Sequence, residues 1–463
     1  MTNALPRIQD KPPELPQITR HAATVLAGQL AVMAFGVTDT LVAGRDGEAS
    51  LAALSVGSAI FISIYVGLMG VLQALMPVWA QQRGAGDLPA IGRSVRQSLY
   101  LCAAASVLGM GLLLSPAPLL RWTEIPPTLR AEVVQYLAVL AFALPAALLF
   151  RIYSTLNQAM GRPQLVTWLQ VGSLFIKIPL SIWFTLGGAG LPAQGVVGCA
   201  WATLIVNYTM LGLALWLLRT QGIYEPLQLW RPLERPHGPT LGSFLQLGVP
   251  AGLAIMVEVT SFTLMALFIA RQGTTAAAAH QIASNMGALL YMVPLSLAIA
   301  TSTRVSYWLG AGDPQHARRI VYMGFRVAAL TGIALAAMLF IANHAIASLY
   351  SGSPAVVAVA SGLLLWVAAY HLTDACQTFC VFVLRSYHIT VAPLVVYCLL
   401  LWGLGLGGGY LLAYGTWSPW AQMAHSPTAF WACSALALAI TAAAFGAMLL
   451  KAAARTAQPP PSA

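Results

Sequence analysis

Apolar segments long enough to cross a bilayer recur along nearly the whole chain, each cut off by polar residues or a Gly/Pro break. A membrane span needs about 20 apolar residues, and about twelve stretches qualify. They cover roughly 20–44, 50–79, 95–119, 131–156, 164–188, 194–218, 241–270, 277–308, 320–349, 355–385, 391–415 and 428–450. Soluble domains carry roughly a quarter charged residues. Here 8% of the residues are charged, 59% are hydrophobic and the mean hydropathy is +0.76. The expected fold class is an all-α integral membrane protein, because a spanning helix satisfies its own backbone groups.

The formal net charge is +10, which in a soluble protein would suggest nucleic acid as a partner. In a membrane protein the placement of the charge matters more. With the N-terminus inside, most basic residues fall at one face, among them Arg7, Lys11, Arg20, Arg83, Arg93, Arg96, Arg304, Arg318, Arg319 and Arg385. Arg45, Arg121, Arg130 and Arg271 fall at the other face, and Lys177 lies within a span. Cytoplasmic loops carry such an excess. Both termini are therefore expected in the cytoplasm, nucleic acid is not an expected partner, and the lipid bilayer is. No short apolar core with a small-residue cleavage site opens the chain, so no cleaved signal peptide is expected. The six cysteines lie in or beside apolar spans without the loop spacing of a disulfide framework.

Gly84-Ala85-Gly86-Asp87 recurs as Gly310-Ala311-Gly312-Asp313, and at the same offset Gly47 matches Gly273, Tyr65 matches Tyr291 and Arg93 matches Arg319. Each tetrapeptide follows the second span of its half. The repeat predicts two pseudo-symmetric six-helix lobes, as in many secondary transporters. The expected division is a cytoplasmic tail at 1–19, an N-lobe at 20–219, a cytoplasmic linker at 220–240, a C-lobe at 241–450 and a second tail at 451–463. No phosphate-binding Gly-x-x-x-x-Gly-Lys-Ser/Thr loop is present. Transport would then run on an ion gradient or on the substrate's own gradient, without a cofactor.

Asp39, Glu258 and Asp374 stand inside apolar spans. A carboxylate near the bilayer midplane costs at least several kcal/mol unless it is paired, protonated or metal-bound, and such residues mark ion or substrate paths. Tyr370, Asp374 and Gln377 share one helix face. Their oxygens suit Na⁺ or a proton relay. A merely structural Glu258, pinned by Thr260 or Ser261, is the alternative there. An Asp374–Arg385 pair is disfavoured, because eleven residues of helix span about 16 Å.

The first spans contain Gly36-Val37-Thr38-Asp39-Thr40-Leu41-Val42-Ala43-Gly44 and Pro77-Val78-Trp79-Ala80-Gln81. The later ones contain Leu247-Gly248-Val249-Pro250, Glu258-Val259-Thr260, Ala278-Ala279-His280-Gln281-Ile282-Ala283 and Tyr370-His371-Leu372-Thr373-Asp374-Ala375-Cys376-Gln377. In this order they resemble the multidrug and toxic compound extrusion (MATE) family, in its NorM-type bacterial branch, over about residues 20–450. The resemblance implies a transporter rather than an enzyme. It would export small organic cations from the bacterial inner membrane against Na⁺ (preferred) or H⁺. Nothing in the residues reads out an oligomeric state, and a monomer is the expectation. The resemblance also implies a cation site at Glu258, Tyr370 and Asp374, and a polar N-lobe pocket around Asp39.

The N-lobe departs from the family pattern. Where relatives have Asn-x-Pro followed by another Asn, this chain has Lys177-Ile178-Pro179-Leu180-Ser181. A lysine there is expected to pair with Asp39 and supply the charge that a bound cation would otherwise bring; the alternative is that it snorkels to an interface. Lys177 and Ser181 are thus expected to modify the N-lobe site. Thr24 stands where relatives have a first-helix proline, so a proline-driven bend is not expected. His280 and His371 are either buried packing residues or proton carriers. Several methionines, such as Met256 and Met265, would suit a promiscuous cavity. The competing function is a flippase for a lipid or lipid-linked cargo on a related two-lobed fold, which would favour a cationic cavity.

Overall fold

A computed structural model describes residues 13–120, 127–188, 190, 192–415 and 426–457. Arg7, Lys11, Arg121 and parts of both expected tails lie outside these residues. Among the described residues, 12 helices are long and apolar enough to cross a membrane. In the first half they are α1 (Glu14–Asp46), α2 (Glu48–Gly84), α3 (Leu88–Leu114), α4 (Leu129–Ala159), α5 (Gln164–Leu186) and α6 (Val196–Thr220). In the second half they are α7 (Gly238–Ala270), α8 (Thr274–Gly310), α9 (Pro314–Tyr350), α10 (Pro354–Ser386), α11 (Val391–Tyr414) and α12 (Pro427–Thr456). The protein is a multi-pass, all-α membrane protein.

Most helices run past the apolar stretches that predict them. Helices α8 and α9 each have 37 residues, about 55 Å at 1.5 Å per residue against a hydrocarbon core of about 30 Å. Hydropathy reads only the part immersed in lipid, whereas the helices continue into the polar layer. Asp87 and Asp313, the last residues of the repeated tetrapeptides, cap α3 and α9 by accepting the Ala90 and His316 amides. Helix α1 runs unbroken through Thr24. Helix α11 is irregular: a π-helical segment, Cys398–Gly408, separates two short α-helical pieces.

The linker is shorter than expected and is strapped to the N-lobe. Arg96 of α3 donates to the Gln228 carbonyl and to Glu234, both at 2.5 Å, and Tyr100 donates to the Glu234 carbonyl at 2.8 Å. That hydrogen bond to Arg96 holds the Glu234 carboxyl below its usual range. Gly92 leaves room for the Leu227 carbonyl.

Within the N-lobe α4 packs against α2, α3 and α6, and within the C-lobe α10 packs against α8, α9 and α12. The lobes meet reciprocally: α1 lies on α8, α7 lies on α2, and the ends of α2 and α8 touch. At that last contact the repeat becomes physical. A Cβ on Gly84 would overlap the Tyr307 carbonyl, and one on Gly310 would overlap the Gln81 carbonyl. The repeated glycines therefore let two helix ends approach backbone to backbone. Polar contacts between lobes gather at the same end. Arg304 donates to both Glu14 oxygens at 2.7 and 2.6 Å, Trp308 Nε1 donates to Glu14 at 2.9 Å, and Gln81 donates to the Ser386 carbonyl at 2.8 Å.

Substituting Gly84 or Gly310 by valine is expected to force this end apart. Spin labels at Arg93 and Arg319, which are exposed and equivalent in the repeat, should then move to longer separations. Gly446→Ala, where nothing crowds the added carbon, should leave them unchanged.

Candidate functional site

The structure sorts the residues singled out in the sequence into two clusters, one per lobe. In the C-lobe, Glu258 projects from α7 and lies within electrostatic reach of Asp374, Gln377 and Arg385. Helix α10 supplies Tyr370, Asp374, Gln377 and Thr378 from one buried face. Gln377 Nε2 donates to Asp374 Oδ1 at 2.8 Å and to Thr378 Oγ1 at 3.0 Å. Gln377 Oε1 accepts from the Tyr397 hydroxyl of α11. The amide therefore turns hydrogens, not oxygen, toward the carboxylate. In this arrangement Gln377 orients Asp374 instead of offering a cation a ligand.

Among the described residues neither Glu258 nor Asp374 belongs to a salt bridge. Thr260 does not pin Glu258, because its hydroxyl bonds back to the Met256 and Val257 carbonyls of its own helix. Arg385 is buried and lies 4.2 Å above the Phe382 ring; it shares an electrostatic field with Glu258, Tyr291 and Tyr397. No group of three or more His, Cys, Asp or Glu converges among the described residues. A cation here would be held by two carboxylates and neutral oxygens such as the Tyr370 phenol, a hard set suited to Na⁺.

Beside the carboxylates, Phe262, Tyr370 and Trp431 meet edge to face, with ring centroids 5.7 to 6.2 Å apart. Phe262 and Tyr370 border a small cleft whose wall includes Ser261, Met265 and Ser434, and the buried Trp431 packs behind them. His280 supports this wall: Nδ1 accepts from Trp431 Nε1 at 3.2 Å and Nε2 lies 3.2 Å from the Ser284 hydroxyl. Both ring nitrogens are thereby engaged in packing contacts. His371 is buried with Nε2 unpartnered.

In the N-lobe, Asp39 of α1 faces α5 and α6. Lys177 Nζ lies 2.7 Å from Asp39 Oδ1 and 2.9 Å from Oδ2. Ser181, one turn along α5, donates to Asp39 Oδ1 at 3.0 Å. Lys177 also donates to Thr203 Oγ1 at 2.7 Å and to the Cys199 carbonyl at 3.2 Å. With 1% of its surface exposed, Lys177 does not snorkel. Asp39 therefore stands apart from Glu258 and Asp374, and no hydrogen bond or salt bridge among the described residues joins the two clusters.

Sequence reasoning missed Tyr397, Thr378, Thr203 and the Cys199 carbonyl. Thr378 lies one turn from Asp374 and was findable from helical spacing. Tyr397 sits in an apolar run with no motif, and nothing local points to it.

Comparison with known proteins agrees with this arrangement. The MatE family model matches residues 25–183 and 250–411, one segment in each lobe. The chain is 36% identical over 433 residues to a probable multidrug resistance protein NorM of Aromatoleum aromaticum, covering 94% of this chain and 93% of that protein. It is 34% identical over 433 residues to the multidrug resistance protein PmpM of Pseudomonas aeruginosa, covering 93% and 90%. Its fold superposes on the crystal structure of the eukaryotic MATE transporter AtDTX14 with a TM-score of 0.81, at 21% identity, covering 96% of this chain and 98% of that one.

Tyr397→Phe tests the orienting network. Losing one hydrogen bond of about 1 kcal/mol should raise the coupling-ion concentration for half-maximal transport roughly fivefold. Ion titrations of transport by the purified protein would measure this. An unchanged half-saturation would mean that Tyr397 does not hold Gln377 in the working cycle.

Proposed function

This chain belongs to the MATE family, whose members are transporters and not enzymes, and we propose that it exports small organic cations in exchange for Na⁺ or H⁺. The observation that carries the reading is the C-lobe pair Glu258 and Asp374: two carboxylates in one membrane-embedded cluster, with no salt bridge among the described residues. Arg385 lies in the field of Glu258 without bridging it, so two acids face one guanidinium and a positive charge from outside is still needed. A coupling ion and a cationic substrate would compete for them. The cleft wall of Phe262 and Tyr370, backed by the buried Trp431, suits the organic cation through aromatic and apolar contact. The multidrug resistance names of the relatives support the same substrate class.

In this reading the coupling site is Glu258, Tyr370 and Asp374, with Gln377 as the group that aims Asp374. Na⁺ is the preferred ion, because the ligands are hard oxygens. The lobes rock once the carboxylates are neutralised, since an uncompensated charge in a closing apolar cleft is too costly. The latch of Glu14 on Arg304 and Trp308 lies at the end that the basic residues assign to the cytoplasm. The conformation described here would then be the one closed to the cytoplasm. A one-for-one exchange of monovalent cations moves no net charge, so the membrane potential of about 2.3 kcal/mol per charge at 100 mV contributes only if two ions are exchanged per substrate. In this reading the protein works as a monomer in the bacterial inner membrane with both termini inside, a placement that the one-sided basic residues and twelve spans support.

The test is dye efflux from proteoliposomes under an imposed Na⁺ or pH gradient. Export by the wild type under one gradient and its loss in Asp374→Asn would establish the exchange and name the ion. Absence of export under either gradient by well-folded protein would move the assignment to lipid or lipid-linked cargo.

A further inference from the structure

The two lobes neutralise their carboxylates in opposite ways. In the C-lobe, Asp374 meets neutral donors, and Arg385 lies in the field of Glu258, but among the described residues neither acid forms a salt bridge. In the N-lobe, Asp39 already has an ammonium partner. Lys177 has three N–H donors, and its surroundings supply both Asp39 oxygens at 2.7 and 2.9 Å, the Thr203 hydroxyl at 2.7 Å and the Cys199 carbonyl at 3.2 Å. Carboxylate, hydroxyl and backbone carbonyl are the oxygen types that coordinate hard cations. The shell comes from three helices: Asp39 from α1, Lys177 and Ser181 from α5, and Cys199 and Thr203 from α6.

We infer that the Lys177 ammonium is the tethered occupant of a monovalent-cation site in the N-lobe. This lobe carries its cation permanently, and the C-lobe alone takes the coupling ion. The inference rests on the exchange reading above but concerns binding in the other lobe. Three features carry it. Lys177 is fully enclosed, so its ammonium cannot swing out to water to make way for an ion. The Asp39–Lys177 pair is neutral as a unit, so an additional cation would enter without a free negative charge to meet it. Ser181 fixes Asp39 Oδ1 independently at 3.0 Å, so the carboxylate would keep its orientation without the lysine. The ammonium–oxygen distances of 2.7–3.2 Å are ordinary N–H···O hydrogen bonds, so a gap left by the ammonium would fit a large monovalent ion. These distances exceed the 2.3–2.6 Å typical of Ca²⁺.

Lys177→Met keeps the apolar stem and deletes the charge, leaving Asp39, Thr203 and the Cys199 carbonyl around an ammonium-sized gap. The experiment uses full-length protein in nanodiscs. It reads the thermal-unfolding midpoint against NaCl or KCl, with choline chloride holding ionic strength constant. All comparisons are made on Asp374→Asn, which removes one of the two C-lobe carboxylates and so breaks up the C-lobe pair. Asp374→Asn alone should show no specific response to Na⁺ or K⁺. Asp374→Asn/Lys177→Met should gain one, its midpoint rising by roughly two degrees for each tenfold increase in the preferred ion. Adding Asp39→Asn should abolish that gain. A variant that folds only when Na⁺ or K⁺ is present supports the site equally.

Two results would overturn the inference. One is a folded Asp374→Asn/Lys177→Met that responds to neither ion. The other is a variant that no alkali ion rescues, while Asp374→Asn/Asp39→Asn/Lys177→Met folds normally. In either case Lys177 is a cross-brace between helices and nothing more. Because the readout is binding, failure here leaves the export assay untouched, and failure of that assay leaves this one interpretable.

Discussion

A carboxylate enclosed by membrane helices must be neutralised by something, and this requirement organises the protein. Water is excluded and the desolvation cost is several kcal/mol, so each buried acid dictates what surrounds it. At Asp39 the answer is covalent: Lys177 is part of the chain, with Ser181, Thr203 and the Cys199 carbonyl completing the shell. At Glu258 and Asp374 the surroundings orient the acids, and the one guanidinium in their field, Arg385, offsets them only in part. A lobe of the first kind is electrically complete. A lobe of the second kind depends on what arrives from solution, which is the physical basis for coupling an ion to a substrate.

The joint between the lobes must be close at one end without being permanent. Gly84 and Gly310 achieve closeness by removing side chains where two helix ends meet, so that backbone lies against the Tyr307 and Gln81 carbonyls. Such a contact holds by van der Waals fit and leaves few bonds to break on opening. The Glu14–Arg304 bridge, reinforced by Trp308, adds charge-assisted hydrogen bonds at the polar margin of the same joint. The strap of residues 228–237 on α3 ties the connection between lobes to the N-lobe, so relative movement falls on the helix contacts and not on a loose linker.

Much of this was legible in the chain. An acid in an apolar run is conspicuous because the surrounding residues make it costly, which is why Asp39, Glu258 and Asp374 stood out. Lys177 was conspicuous for the same reason, and its partner was the acid whose family pocket it invades. Helix extents were less legible, since hydropathy stops where lipid stops and the helices do not. Tyr397 was invisible: its role comes from α11 packing beside α10, and no local spacing encodes that neighbour. The division of the acids into two clusters was legible only through the family resemblance, which implies an N-lobe pocket at Asp39 and a C-lobe site at Glu258 and Asp374; along the sequence itself the three acids read alike.

By itself, then, the sequence determined the number and type of the elements, the two-fold repeat and the buried charges that need neutralising. These are local properties: hydropathy, spacing and residue chemistry act through near neighbours in the chain. Only the tertiary structure decided which further groups complete the shell around each charge. Lys177 reaches Asp39, Thr203 and the Cys199 carbonyl across three helices, and Tyr397 turns the Gln377 amide toward Asp374. A hydrogen bond is settled within a few tenths of an ångström, and such distances between remote residues exist only once the helices have packed.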